Sequence, residues 1–295
     1  MIDLGFNKNA IRMLTGFIMG TVVMLCLLYG GLATLALLIF MLIVGSKEYV
    51  QILNNKGFYP SLKVIYFTEL ILTMVVYFKR FDLVGITLTV CAMCSLMWVL
   101  FVGRQPYIAN VATTLFGMVY CGWFPLHLIF LRDLSSSQYS SGVGFVVMMF
   151  TAILMTDVGC YYVGKKWGKH KLAPVVSPNK TIEGSIGGIV AGIISACLIG
   201  LYIDKLLHIP IKWYIPICVG VISTAFAQIG DLCESLIKRD AGVKDSGSSL
   251  PGHGGFLDRS DSFVLTIPMV YYFCKFFVFE TEWIPSFISS LKGLF

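Results

Sequence analysis

The sequence predicts an all-α fold: a polytopic membrane bundle of about nine transmembrane helices. Three observations predict it. The 295 residues are 57% hydrophobic and only 13% charged, whereas a soluble domain carries about a quarter charged residues. The apolar residues fall in runs long enough to cross a hydrocarbon core of about 30 Å. Of the 22 Lys and Arg, 15 lie in connections or at span ends on one side of the predicted spans, six lie on the other, and Lys275 sits within the last span. A water-soluble domain is excluded, and nothing in the composition marks a nucleic-acid partner.

The predicted spans are 11–29, 32–50, 62–78, 83–102, 110–131, 143–164, 183–203, 213–233 and 262–280. The first follows a basic flank (Lys8, Arg12) with no small-residue cleavage site, so it reads as a span and not as a removed signal. Only "YGG" at 29–31 divides it from the second. The seventh opens in a glycine-rich run, which suits close helix packing. The Lys/Arg excess marks the connections 165–182 and 234–261 as cytoplasmic. We divide the chain into N-terminal helices over 1–140 and a catalytic region over 141–295, because the dense polar segments all lie in the second part.

Two local patterns point away from chemistry. The nine cysteines lie in or at the ends of apolar runs. Cys91 and Cys94 form a C-x-x-C without the second pair that a zinc site needs, so they read as small core residues. "GCYYVGKK" at 159–166 nearly spells a P-loop, but it ends in Lys and lies at the end of an apolar helix, not in a strand-to-helix turn.

Ionisable residues inside membrane helices are costly and mark paired or functional groups. Asp157 lies well inside the sixth span, and Asp231 and Glu234 lie at the inner end of the eighth. Asp231, Glu234, Ser235 and Lys238 are spaced i, i+3, i+4, i+7 and so share one helical face. The stretch that follows, "KRDAGVKDSGSSLPGHGGFLDRSD", offers Lys238, Arg239 and Lys244 to neutralise phosphates. Gly254 and Gly255 allow backbone N–H groups to approach an anion. Asp258 and Asp261 add hard oxygen donors, and carboxylates beside Lys and Arg suggest Mg²⁺ with a polyphosphate. His253 reads as a loop-orienting or phosphate-touching group, with metal binding or proton transfer as the alternative. In "SPNKTIEGSIGG", 177–188, Ser177 and Pro178 signal a turn, Thr181 and Glu183 precede the seventh span, and Lys180 beside that helix start makes an anion site. The same segment also reads as a helix cap with a positive-inside lysine.

The run "SLIKRDAGVKDSGSSLPGHGGFLDRSD", 235–261, closely resembles the signature of the phosphatidate cytidylyltransferases, with Ser235, Lys238, Arg239, Lys244, Asp245, Leu250, Pro251, His253, Gly254, Gly255, Phe256, Asp258, Arg259 and Asp261 in register. "QIGDLCES" (228–235), "SPNKTIEG" (177–184) and "TDVGCYYVGK" (156–165) resemble further segments of that family. The chain departs from the usual pattern at Ser260, Asn179 and Ile182. The resemblance implies Mg²⁺-dependent transfer of the cytidylyl group of CTP to phosphatidate in a membrane homodimer, with a second cation such as K⁺. A bacterial inner membrane and a cytoplasmic active site are expected.

The resemblance also assigns roles. Asp231 and Asp258 are the leading metal ligands, with Asp157, Glu234 and Asp261 behind them. Lys180, Lys238, Arg239, Lys244 and Arg259 are phosphate clamps. Ser177, Thr181, Glu183, Ser235, His253, Gly254 and Gly255 shape substrate contacts. Truncating Lys238 or Arg239 is expected chiefly to raise KM. The alternatives are a CTP-dependent lipid-alcohol kinase and, further off, a transporter.

Overall fold

The computed structural model of the chain describes residues 8–136, 139, 141–206, 209–249 and 254–280. Helices dominate. They are α1 (Lys8–Tyr29), α2 (Gly31–Lys56), α3 (Leu62–Tyr77), α4 (Val84–Val102), α5 (Tyr107–Gly117), α6 (Phe124–Asp133), α7 (Val143–Trp167), α8 (Ile182–Leu206), α9 (Tyr214–Asp240) and α10 (Leu257–Cys274). A π-helical turn, Met118–Trp123, joins α5 to α6, and another, Lys275–Phe279, follows α10. Counting the α5–α6 rod once, nine helical rods match the nine predicted spans. Among the described residues seven of them are long and apolar enough to cross a bilayer. The exceptions are α1, of which Gly20–Tyr29 qualifies only as a shorter apolar helix, and α3, whose 16 residues extend about 24 Å. Two features lie outside the sequence reading. A two-stranded antiparallel hairpin, β1 (Lys171–Ala173) with β2 (Ser177–Thr181), fills the connection read as a loop. The last helix starts at Leu257 and not at 262, which makes Asp258 and Asp261 helical.

Two compact units emerge: the chain up to Leu126 together with Cys233–Val264, and His127–Leu232 together with the chain from Leu265 on. In the first, the local signals are clear. α2 stops at Gly57, whose φ of 86° is the left-handed conformation that glycine adopts without strain. Ser61 caps α3 by accepting from the Val64 N–H at 3.3 Å. Asn110 and Thr114 of α5 then accept the N–H groups of Tyr59 and Ser61 at 2.7 and 3.0 Å, which fixes the α2–α3 turn against α5. The core gathers Tyr49, Ile52, Ile65, Cys91, Met118 and Tyr120 around Leu257 and Val264. The described cysteines are all free and Cys91 is buried, in keeping with a packing role.

The second unit is built on glycine. Gly184, Gly188 and Gly192 recur every four residues along α8, so they line one face. A methyl group on Gly188 would collide with Cys160 Sγ and lie 2.8 Å from the Thr156 carbonyl of α7. One on Gly184 would lie 2.8 Å from the Cys160 carbonyl. α9 approaches α8 in the same way: a methyl on Gly220 would lie 2.9 Å from Ile193 Cα. Small residues let backbones meet where lipid supplies no hydrophobic drive for association. Gly188→Leu is therefore expected to cost at least the 1–3 kcal/mol typical of overpacking. Val190→Leu, at an exposed position of the same helix, serves as the neutral comparison. Thermal unfolding of the two in detergent checks this.

Candidate active site

The polar residues form one cluster in each unit. In the second unit, the glycine contacts hold α7, β2 and the first part of α9 around a cavity of about 240 Å³. Its wall includes Asp157 and Cys160 from α7, Asn179, Lys180 and Thr181 from β2, Ser185 from α8, and Gln228 and Asp231 from α9. Lys180 Nζ lies 2.6 Å from Asp231 Oδ2, and among the described residues the buried ammonium has no hydrogen-bond partner beyond this ion pair. Ser185 Oγ donates to Gln228 Oε1, and Gln228 Nε2 donates to the Ser185 carbonyl at 3.2 Å, which joins α8 to α9 beside the ion pair. The hairpin explains how Lys180 gets there. Glu183, in the first turn of α8, accepts the Lys169 N–H at 3.0 Å and lies 2.6 Å from His170 Nδ1. Thr181 Oγ1 accepts the Gly184 N–H at 3.1 Å. Thr181 and Glu183 thus start the helix and tie down the preceding turn, the capping reading of this segment. Ser177 lies on β2, where it pairs with Ala173.

In the first unit, Lys238 is the hub. Its Nζ lies 2.5 Å from Glu234 Oε2 and 2.6 Å from Asp258 Oδ1, and all three residues are largely buried. Asp258 also accepts the Ser246 N–H at 2.9 Å and the Gly255 N–H at 2.9 Å. Among the described residues Glu234 has no hydrogen-bond partner for either oxygen beyond its lysine contact. Asp261 is buried and accepts the Ser262 N–H at 2.6 Å. Ser235 is buried on α9. Arg239, Lys244 and Arg259 are exposed, and Arg239 donates to the Val243 carbonyl at 3.3 Å. The structure thus separates the predicted clamps: three present themselves to solvent, while Lys238 is enclosed between carboxylates. Gly254 has a φ of 81°, which restricts the position to glycine. His253 lies outside the described residues.

The sequence reading missed Glu48 of α2. Its side chain is buried and receives the N–H groups of Phe256 and Leu257 at 2.9 and 2.8 Å, together with Ser246 Oγ at 3.0 Å. The signal that pointed to it was a charged pair, Lys47–Glu48, within a membrane helix.

Among the described residues no three His, Cys, Asp or Glu side chains converge as a ready metal set. Magnesium asks for less: one or two carboxylates, completed by water and substrate phosphate oxygens. Asp157 and Asp231 on one cavity wall fit that demand. In the other unit, Glu234 has buried oxygens that, among the described residues, only an ammonium answers, which suits a further cation.

The family model of the cytidylyltransferases matches residues 10–277. The chain is 31% identical over 274 residues to the phosphatidate cytidylyltransferase of Synechocystis sp., covering 84% of this chain and 90% of that protein. It is 36% identical over 242 residues to the phosphatidate cytidylyltransferase of Staphylococcus epidermidis, covering 82% and 77%. It is 31% identical over 292 residues to the chloroplastic phosphatidate cytidylyltransferase 4 of Arabidopsis thaliana, covering 90% and 73%. In class, then, this is an integral membrane nucleotidyltransferase. The chain belongs to the cytidylyltransferase family.

Proposed function

We propose that the chain transfers the cytidylyl group of CTP to phosphatidate. A phosphate oxygen of phosphatidate attacks the α-phosphorus of CTP, the bond from that phosphorus to the bridging oxygen breaks, and pyrophosphate leaves. The product is CDP-diacylglycerol, a phospholipid precursor. The observation that carries this reading is the cavity that sets Lys180 against Asp231 on a wall shared with Asp157, in a chain related along most of its length to enzymes of that name.

Both reactants are polyanions, so their repulsion is the first barrier. Lys180, Arg239, Lys244 and Arg259 lower it with positive charge, and preorganised charge of this kind is the main lever in phosphoryl-type transfer. Lys238 acts differently: enclosed by Glu234 and Asp258, it holds the α9–α10 connection in shape. No side chain needs to form a covalent bond to the substrate. Asp231 and Asp157 would hold magnesium, which when bound supplies charge neutralisation on the triphosphate. Glu234 and Asp261 are the residues for a second cation such as potassium. Asp258, a leading metal ligand in the sequence reading, receives two backbone N–H groups and an ammonium, so we assign it first to organising its loop. We place both polar connections on the cytoplasmic side of a bacterial inner membrane, from the Lys/Arg bias, and expect a homodimer, from the resemblance.

The test uses purified protein in detergent with cytidine-labelled CTP, phosphatidate and Mg²⁺. Label is expected in the lipid phase with matching pyrophosphate, and EDTA is expected to stop it. Label confined to CDP in the aqueous phase would mean a kinase. No consumption of CTP by folded protein would overturn the reading.

A further inference from the structure

The start of α10 is held by a residue about 200 positions earlier in the chain. The first N–H groups of an α-helix have no partner within the helix and must find one elsewhere. Here each is accounted for. The Gly255 N–H goes to Asp258 Oδ2, the Phe256 N–H to Glu48 Oε1, the Leu257 N–H to Glu48 Oε2 and the Asp258 N–H to Ser246 Oγ. Ser246 Oγ donates in turn to Glu48 Oε2. One carboxylate from α2 and one from α10 therefore close the helix start from both sides.

The glycines fit the same picture. A methyl group at 255 would lie 2.7 Å from Glu48 Oε2, and one at 247 would lie 2.9 Å from Glu48 Oε1. Both glycines leave room for this carboxylate. A helix N-terminus is otherwise a ready anion site, but here a side-chain anion occupies it. The N–H groups of 255–257 are spent inside the protein, so substrate phosphates are left to Lys and Arg side chains. Phe256 adds an apolar anchor, its ring 6.1 Å from that of Phe40 on α2.

We propose that Glu48 is a positioning residue for the reaction. Resting on the activity above, it fixes Phe256, Leu257 and Ser246, and through them Asp258 and its hold on Lys238. Glutamine cannot replace it: with the amide oxygen at the Oε2 position, its NH₂ would face the Phe256 N–H, donor against donor.

The test measures kcat and both KM values for full-length Glu48→Gln and Ser246→Ala in detergent, with hydrogen exchange of the α10 amides. Displacing a reacting group by about 1 Å costs on the order of 10²-fold. For Glu48→Gln we expect kcat to fall about 10²-fold with both KM values within about threefold of wild type, since binding groups stay in place. Exchange is expected to quicken at 255–258 without quickening along α2. For Ser246→Ala, which removes one hydroxyl from the arrangement, we expect about a tenfold fall in kcat. A Glu48→Gln enzyme with wild-type kcat in its folded fraction overturns the proposal. If that variant does not fold, an unchanged kcat in Ser246→Ala overturns it. Wild-type protein that makes no lipid product would refute the proposed activity instead, and unchanged exchange at 255–258 in Glu48→Gln would still refute the contact on its own.

Discussion

Asp231→Asn is expected to remove turnover while leaving the protein folded. Removing one preorganised donor from a site of developing negative charge costs about 10²–10³-fold in kcat, and losing a carboxylate that would hold the magnesium answering such charge is expected to cost at least as much. The fold should tolerate the change. The Lys180 ammonium is buried although the side chains of the pair are 26% and 33% exposed, so asparagine, whose amide oxygen can still accept from that ammonium, is the variant that keeps it partnered. Asparagine keeps the volume of the side chain at the cavity wall and leaves the Ser185–Gln228 contact beside it intact. The check is a product assay paired with thermal unfolding of the same preparation. Lost turnover at an unchanged midpoint supports the role, and near-normal turnover removes Asp231 from the chemistry. Asp157→Asn, on the same cavity wall, tests whether the two carboxylates act together, since a shared cation makes the double change no worse than either single one.

Much of the fold was legible because lipid imposes a strong rule. Apolar runs long enough to cross the hydrocarbon must be helical, since their backbone groups have no other partner there, and each predicted span corresponds to a rod. What escaped were features set by distant contacts. The α10 boundary fell five residues too late because "LDRSD" looks like loop, and its helical state depends on Glu48 and Asp258 capping the start. The hairpin at 171–181 is too short to carry a period-two pattern. Glu48 was passed over as a site residue because its partners lie about 200 positions away, and the charged pair Lys47–Glu48 in an apolar run does not say what it meets. The acidic and basic residues of 231–261 were found, since charge in an apolar chain stands out. Their division of labour was not, because burial decides it: Lys238 and Arg239 are neighbours in sequence, yet one is enclosed by two carboxylates and the other faces solvent. Gly255 was read as an opening for phosphate; in the structure its N–H goes to Asp258, and Ser246 and Glu48 take up the space beside its Cα.

That difference sets the consequence of cutting Lys238. The sequence reading expects a raised KM, whereas the geometry predicts a failure of stability. Lys238 is the only ammonium placed between Glu234 and Asp258, at 2.5 and 2.6 Å, among the ion pairs of the described residues. Lys238→Met keeps most of the stem volume and deletes the charge, leaving two buried carboxylates to repel each other. Removing one partner of a buried pair costs about 3–5 kcal/mol, a large share of the 5–15 kcal/mol that holds a typical domain together. Arg239→Ala, at an exposed side chain that donates to the Val243 carbonyl, is expected to stay folded and to raise KM for an anionic substrate. Adding Glu234→Gln to Lys238→Met separates the causes. If uncompensated charge is the damage, neutralising Glu234 restores a good part of the lost unfolding midpoint, and the two changes are non-additive. If the double variant is no better than Lys238→Met alone, the lysine holds the fold through Asp258 alone. A Lys238→Met protein with wild-type stability and a raised KM would return Lys238 to the role of a substrate clamp.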